Sequence, residues 1–159
     1  MKIPTHAMPT TFSGVDPGLL VVRFKAGSDL DVGDVVYLSD VDEVDKSTTA
    51  GDYATIVGIV VGGDATYGNI VQADEDIGTL AAKDGEWVIV ACWGVAKTFA
   101  DDAIAAVGPV AAGTTTAGHA KPLDSSEYPL GIAMDIAGSA GDLIRVFVNP
   151  SLTPTAPSP

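Results

Sequence analysis

Apolar residues along this chain come in short runs rich in valine and isoleucine, and most of the runs start or stop at glycine. LLVVRFKA (19–26) ends at Gly27, DVVYLSD (34–40) begins just after Gly33, and YATIVGIVVGG (53–63) closes on Gly62 and Gly63. NIVQA (69–73) alternates before DEDIGT interrupts it, and GEWVIVACWGVAKTF (85–99) is the strongest run of all. PVAA (109–112), YPLGIAMDI (128–136) and DLIRVFV (142–148) complete the set. Branched side chains bounded by turn residues predict strands, so the expectation is an all-β core of about eight strands. ADDAIAAVG (100–108) is the main helical candidate, because Asp101 and Asp102 suit a helix start and Gly108 and Pro109 would stop it.

The runs also fall into a repeated order. DVGDVV (31–36), YATIVGIVVGG (53–63) and DGEWVIVACWG (84–94) are followed by AAVGPV (105–110), YPLGIAMDIAG (128–138) and AGDLIRVFVNP (140–150). Each set is a glycine turn into a strand, an aromatic-led strand with a central glycine (Gly58, Gly131), and an acid-led hydrophobic strand. The first set is longer by TYGNIVQADEDIGTLAA (66–82), which reads as an inserted hairpin or loop. The repeat predicts a compact β-barrel or β-tulip-like core built from two related glycine-turned units, with Gly33 and Gly108 in equivalent turns.

Three segments follow. Residues 1–17 carry Pro4, Pro9 and Pro17 among threonines and read as an extended arm, 18–150 as the β core, and 151–159 as a proline-rich tail. The arm holds Ile3, Met8 and Phe12 along a proline-stiffened strip, which suits contact with a capsid or a neighbouring subunit better than packing on its own barrel. The opening residues contain no long apolar stretch, so no signal peptide is expected, and no segment has the continuous apolar length of a membrane span.

Charge narrows the partners. The net charge is −13, and between Asp29 and Asp76 twelve carboxylates face one base, Lys46. Such a field repels nucleic-acid backbones and keeps copies apart in solution, so neither nucleic acid nor membrane is expected as a partner.

Candidate chemistry is sparse. Cys92 is alone, so no internal disulfide forms, and its apolar surroundings predict a buried, inert thiol. His6 lies in the arm; His119 sits in AAGTTTAGHAKPLD and is expected to be solvent-exposed and dispensable. No Ser, Thr or Cys is paired with a histidine in a recognisable way, and no phosphate-binding glycine loop is present. Asp74, Glu75 and Asp76 are adjacent and DVDEVD (40–45) alternates, but neither has the spacing of a calcium loop. No catalytic, cofactor or metal residue is therefore assigned, and an enzyme is not expected. Trp87 and Trp93 stand six apart and are expected to fill the core, with an interface patch as the other use. DVGDVVYLSDVDEVDKSTTAG superficially matches the swinging-arm domains that carry lipoyl or biotinyl groups, with Lys46 as the modified residue. The chain is too long and the lysine is wrongly flanked for that assignment.

The order of the motifs resembles a family of small tailed-phage proteins, the capsid decoration or head-fibre-like accessory proteins. The resemblance rests on VGDVVYLS around Gly33, a V-G-I strand (57–59), the strand bearing Val88, Val90, Gly94, Val95 and Ala96, AVGPVAAGTTTAG (106–118), and LGIAMDIAGSAGDLIRVFV (130–148). It spans roughly 18–150, with an acidic insertion at 64–84 as the departure. It implies a compact β fold on the outer face of an icosahedral head, bound to the major capsid protein, with copies associating at local symmetry axes and a trimer favoured. It implies no enzymatic site and no cofactor. Two other readings fit a β-rich chain: a different virion component, shell or tail-tube, and a carbohydrate-binding or adhesion module presenting Trp93, Tyr67 or Tyr53.

Overall fold

A computed structural model describes residues 18–48 and 55–150. Among the described residues eleven strands form: β1 (Leu20–Ala26), β2 (Leu30–Asp31), β3 (Val35–Asp40), β4 (Glu43–Lys46), β5 (Ile56–Gly63), β6 (Leu80–Ala82), β7 (Trp87–Phe99), β8 (Gly108–Ala112), β9 (Ala120–Pro122), β10 (Gly131–Ala133) and β11 (Leu143–Val148). The all-β expectation holds. β1, β4, β3, β5 and β7 pair in that order and β7 pairs back with β1, closing a five-stranded barrel. The sheet then continues from β7 through β11, β10 and β8 to β9, while β2 and β6 make a separate two-stranded pairing. All pairings are antiparallel except β1 with β4.

Why the central runs are continuously apolar follows from where their two faces go. Val36, Val60, Val88 and Val90 turn into one core with Ala26 and Val44, which is the barrel interior. Their neighbours in the same strands, Val35, Ile59, Val61, Ile89 and Ala91, belong to a second core with Val110, Ala133, Ile144, Val146 and Val148. The wall of the barrel is thus buried on both sides, and a strand buried on both faces loses the polar alternation of a half-exposed one.

Strand β7 joins the two cores. Its first part, Trp87 to Trp93, pairs with β1, and from Gly94 to Phe99 it pairs with β11. Gly94 has φ +105, and a β-carbon there would stand 2.9 Å from the Gly18 carbonyl oxygen and 3.0 Å from Leu19 Cα. The strand can change partners at this point only because glycine admits both the dihedral and the approach of the entering chain.

The proposed equivalence of Gly33 and Gly108 fails. Gly33 sits at φ +97 in the turn that leads into β3, where the Asp34 amide donates to the Asp31 carbonyl. Gly108 is the first residue of β8, has no positive φ, and has nothing within 4 Å of where a β-carbon would be. Gly58 and Gly131 share a different property. A β-carbon would meet the carbonyl oxygen of the neighbouring strand, Ala91 at 1.9 Å for Gly58 and Phe147 at 2.0 Å for Gly131.

Other departures are local. The 100–108 segment forms no helix; Ile104 instead makes an isolated bridge with Ala137. NIVQA contributes one bridge, Gly62 with Ile70, rather than a strand. The insertion at 66–82 holds a 3-10 turn at Asp74–Asp76 and ends in β6, which pairs with β2. The proline-bearing segments 1–17 and 151–159, with His6, Ile3, Met8 and Phe12, lie outside the described residues, as does Tyr53.

The glycine contacts generate a paired test. Gly131→Ala should lower stability by roughly 2 kcal/mol or more, because the new methyl must push β10 off β11, whereas Gly108→Ala should stay within about 0.5 kcal/mol. Urea midpoints of the two variants against the wild type check this; equal effects would contradict the close approach at Gly131.

Candidate interaction surface

The most distinctive surface is an apolar row across the sheet. Leu20 on β1 stands opposite Trp93 on β7. Trp93 packs edge-on against Phe147 of β11, ring centroids 5.0 Å apart at 79°. Phe147 is opposite Ile132 on β10, and Ile132 is opposite Pro109 on β8. Directly opposed residues of neighbouring strands share a face, so these side chains form one strip. Leu20 is 58% exposed, Trp93 45% and Ile132 52%. Met134 and Ile136, further along the same segment as Ile132, are exposed as well. None of the five is charged, and the charges that border them, Arg145 of β11 and Asp135, are paired with each other at 2.8 Å. Contiguous exposed apolar surface of this kind marks a contact with something else.

Core filling, the first expectation for the two tryptophans, does not hold: both are exposed at the surface, which suits the interface use instead. Trp87 is 39% exposed and lies against Arg23 and Lys25 of β1, whose charged groups sit 5.2 and 5.6 Å from its ring centroid. Asp64 accepts a hydrogen bond from the Trp87 amide at 3.0 Å, and these residues line a small cleft with Gly63 and Gly68. Tyr67, almost fully exposed, follows the 3-10 turn at Asp64–Thr66, which places it beside the Trp87 cleft through Asp64. Trp93 and Tyr67 therefore do not share one site.

A second group of polar residues lies where the barrel meets the outer sheet. Asp34 is buried; it pairs with Lys46 at 3.0 Å and accepts the Asp31 amide at 2.8 Å. The Gly118 carbonyl accepts from the Val35 amide and the Gly118 amide donates to Ser47, so the 113–119 loop is stitched to β3 and β4. That loop is held from the other side by Asp101, whose carboxylate accepts the amides of Thr114, Thr115 and Thr116 at 2.9, 2.9 and 2.5 Å. Burial alone would raise the Asp101 pKa, but the three amides outweigh it and hold the carboxyl below its ordinary range. Nothing in the sequence announced this clamp, since its partners stand thirteen to fifteen residues away. The Asp that was expected to start a helix instead caps a loop.

His119 is half-buried rather than exposed. Its ring packs on Phe99 at 5.5 Å, its Nδ1 has no hydrogen-bond partner among the described residues, and burial lowers its pKa. Cys92 is half-buried with its thiol pushed up by burial, and Lys46 is turned inward to Asp34 and Asp31. Asp74 pairs with Lys97 at 2.7 Å, while Asp76 accepts the Ala73 amide within its own turn. Among the described residues no group of three or more His, Cys, Asp or Glu is placed to hold a metal ion. No helix there is long and apolar enough to cross a membrane.

No protein-family model matches the chain, and no curated protein does. Among solved structures, the chain is similar to the head fibre gp8.5 N base of bacteriophage phi29. The identity is 15% and the TM-score 0.47, covering 86% of this chain and 97% of that one.

Two outcomes follow from the polar junction. Asp101→Ala should cost roughly 2–4 kcal/mol, because three amides lose their acceptor; thermal denaturation measures it, and a loss under 1 kcal/mol would contradict the clamp. Burial raises the Asp34 pKa from 3.8 to about 6 against the opposing pull of the Asp31 amide and Lys46. A raised carboxyl pKa contributes stability that is fully present below 3.8 and is lost as pH rises through about 6. Asp34→Asn should therefore gain on the wild type between pH 4 and pH 7, by about 1–3 kcal/mol. A difference that stays flat across that range would contradict the burial of a titrating Asp34.

Proposed function

We propose that this chain is a structural accessory protein of a tailed-phage virion, decorating the outer face of the capsid and reinforcing the head. The observation that carries the reading is the uncovered apolar row on an otherwise acidic surface. A rigid, doubly buried barrel with one apolar face suits a part that is covered by assembly, and each fully covered side chain of the row would contribute about 1.5–3 kcal/mol. The sequence resemblance names the particle, with the major capsid protein as partner and copies meeting at a local symmetry axis, a trimer favoured. Ile3, Met8 and Phe12 of the 1–17 arm supply further contact, to the shell or to a neighbour. The acidic field disfavours nucleic acid, and the role asks for no catalysis and no cofactor.

The twofold relation of the halves belongs to this reading too. Strands β4, β3, β5 and β7 and strands β9, β8, β10 and β11 run in the same relative order. The shared carbonyl approach at Gly58 and Gly131 supports the same pairing.

A carbohydrate-binding role has one observation in its favour, the Trp87 cleft with Arg23, Asp64 and the neighbouring Tyr67. Sugar sites need hydrogen-bonding groups beside an aromatic face. The polar groups nearest the Trp93 row, Arg145 and Asp135, are bound to each other, and the Trp87 ring already carries Arg23 and Lys25.

The test is co-sedimentation with capsids lacking the protein. The full chain should pellet with them, and the double variant Trp93→Ser, Ile132→Ser should stay largely in the supernatant, while Trp87→Ser pellets normally. Full decoration by the row variant, or loss with Trp87→Ser alone, would overturn the assignment of the row.

A further inference from the structure

We propose that the first half of β1 is an open sheet edge on which a second copy adds its own β1, so that two copies share one continuous sheet. This contact goes beyond the capsid reading: it lies at the edge of the sheet and leaves the apolar row free. β1 pairs with β7 from Leu20 to Lys25, but with β4 only at Lys25 and Ala26, because β4 begins at Glu43. The Ala26 amide donates to Glu86 on the β7 side, while the Lys25 amide donates to Asp42 on the other. Alternate residues of a strand bond to opposite neighbours, so Val21 and Arg23 direct their N–H and C=O groups away from β7. Among the described residues no hydrogen bond meets them there. An edge of this kind, with no proline along it, is a template for another strand.

The side chains beside this edge are uncovered too. Val22 stands opposite Val90, a fully buried residue of the barrel interior, yet is itself 40% exposed. Val41, in the turn beside the edge, is 85% exposed. The barrel wall lacks a strand here, and apolar surface shows where that strand would lie.

A second β1 fits the edge in register and in charge. Antiparallel pairing centred on Val22 sets Val21 against Arg23 of the other copy, and Arg23 against its Val21. These residues all face outward, so each opposed pair exchanges both of its hydrogen bonds. Arg23 does not meet a second Arg23, as it would with the centre one residue further along. Residues 17–28 carry Arg23 and Lys25 and no carboxylate, whereas the turn at their side carries Asp40, Asp42 and Glu43. A second β1 therefore brings positive charge to the acidic end of the seam. The contact is isologous with its twofold axis normal to the sheet, so both copies keep their Trp93 faces on one side of the pair. Such a pair lies flat on a shell and adds to the contact that copies make at a local symmetry axis. A seam of about five residues a side is far smaller than a standard interface, so pairing is weak in free solution and strengthens where copies are held close.

The experiment uses the full chain with Cys92→Ala. Val22→Cys places two thiols opposite one another at a non-hydrogen-bonded position on the twofold, where a disulfide fits. Leu20→Cys is the register control, since its two copies would lie roughly 13 Å apart along the seam, and Asp102→Cys is the background control. Each protein is concentrated and oxidised with diamide, and the linked dimers are mapped by mass spectrometry. Val22→Cys should give at least about fivefold more linked dimer than either control, as effective concentration at a paired site requires. A yield no higher than the controls would overturn the pairing. Amide exchange in the wild type, followed by NMR, gives a second reading. The Val21 and Arg23 amides should exchange several-fold more slowly as the protein is concentrated, while those of Val22 and Phe24, which face β7, stay unchanged. Val21 and Arg23 amides protected equally at every dilution would mean that the chain covers its own edge, and would also overturn the pairing. Sedimentation with capsids is read separately. Binding to particles without the Val22 disulfide sinks the pairing and leaves decoration standing; the disulfide without particle binding does the reverse.

Discussion

One strand holds the molecule together. β7 is thirteen residues long, and both cores depend on it: its first half is a stave of the barrel and its second half begins the outer sheet. Val88 and Val90 point into the barrel while Ile89 and Ala91 point out of it, into the second core. Among the described residues no other strand closes the barrel and also extends the sheet. The change of partner at Gly94 sets the geometry of everything that follows, because there the end of β11 takes over the edge that β1 leaves. The same point receives the incoming chain at Gly18 and Leu19 and presents Trp93. The constraint that builds the fold therefore also builds the surface.

The chain divides its surface into two kinds. Carboxylates crowd the strands and turns of the barrel's first half, where several are tied down: Asp34 to Lys46, Asp74 to Lys97, and Asp64 to the Trp87 amide. Across β7, β11, β10 and β8 the uncharged side chains Trp93, Phe147, Ile132 and Pro109 form a row, bordered on the same face by the Arg145–Asp135 and Lys97–Asp74 ion pairs. Acidic faces repel one another in any orientation, so two copies are left with few ways to meet. An uncharged strip then confers direction as well as adhesion.

What could be read from the sequence was the part with a strong local signal. β1, β3, β5, β7 and β11 coincide with long apolar runs, β8 with the short PVAA and β10 with the middle of YPLGIAMDI, and Gly58 and Gly131 stand inside such runs. β2, β4, β6 and β9 were missed because each is two to four residues long and contains acids, alanine or proline. β4 is instructive: only Val44 of EVDK turns inward, and the alternating Glu43 and Asp45 read as loop chemistry when they are the outward face of a strand. Gly108 looked like Gly33 in sequence, yet only a turn of the DVGD kind demands a positive φ. The helix expected at 100–108 was lost to the long-range amides that Asp101 captures. The row was invisible for a related reason. Whether Trp93 faces a core or water is decided by which strands flank β7, and composition carries no trace of that.

The central claim is that the Trp93 side of the sheet is the face covered on assembly. Hydroxyl-radical footprinting of the protein free and bound to capsids tests it directly, since Trp93 and Met134 are exposed reporters on that side and Trp87 is an exposed reporter away from it. The account predicts that oxidation of Trp93 and Met134 falls several-fold on binding while Trp87 is unchanged. Protection of Trp87 with Trp93 and Met134 as reactive as in the free protein would contradict it.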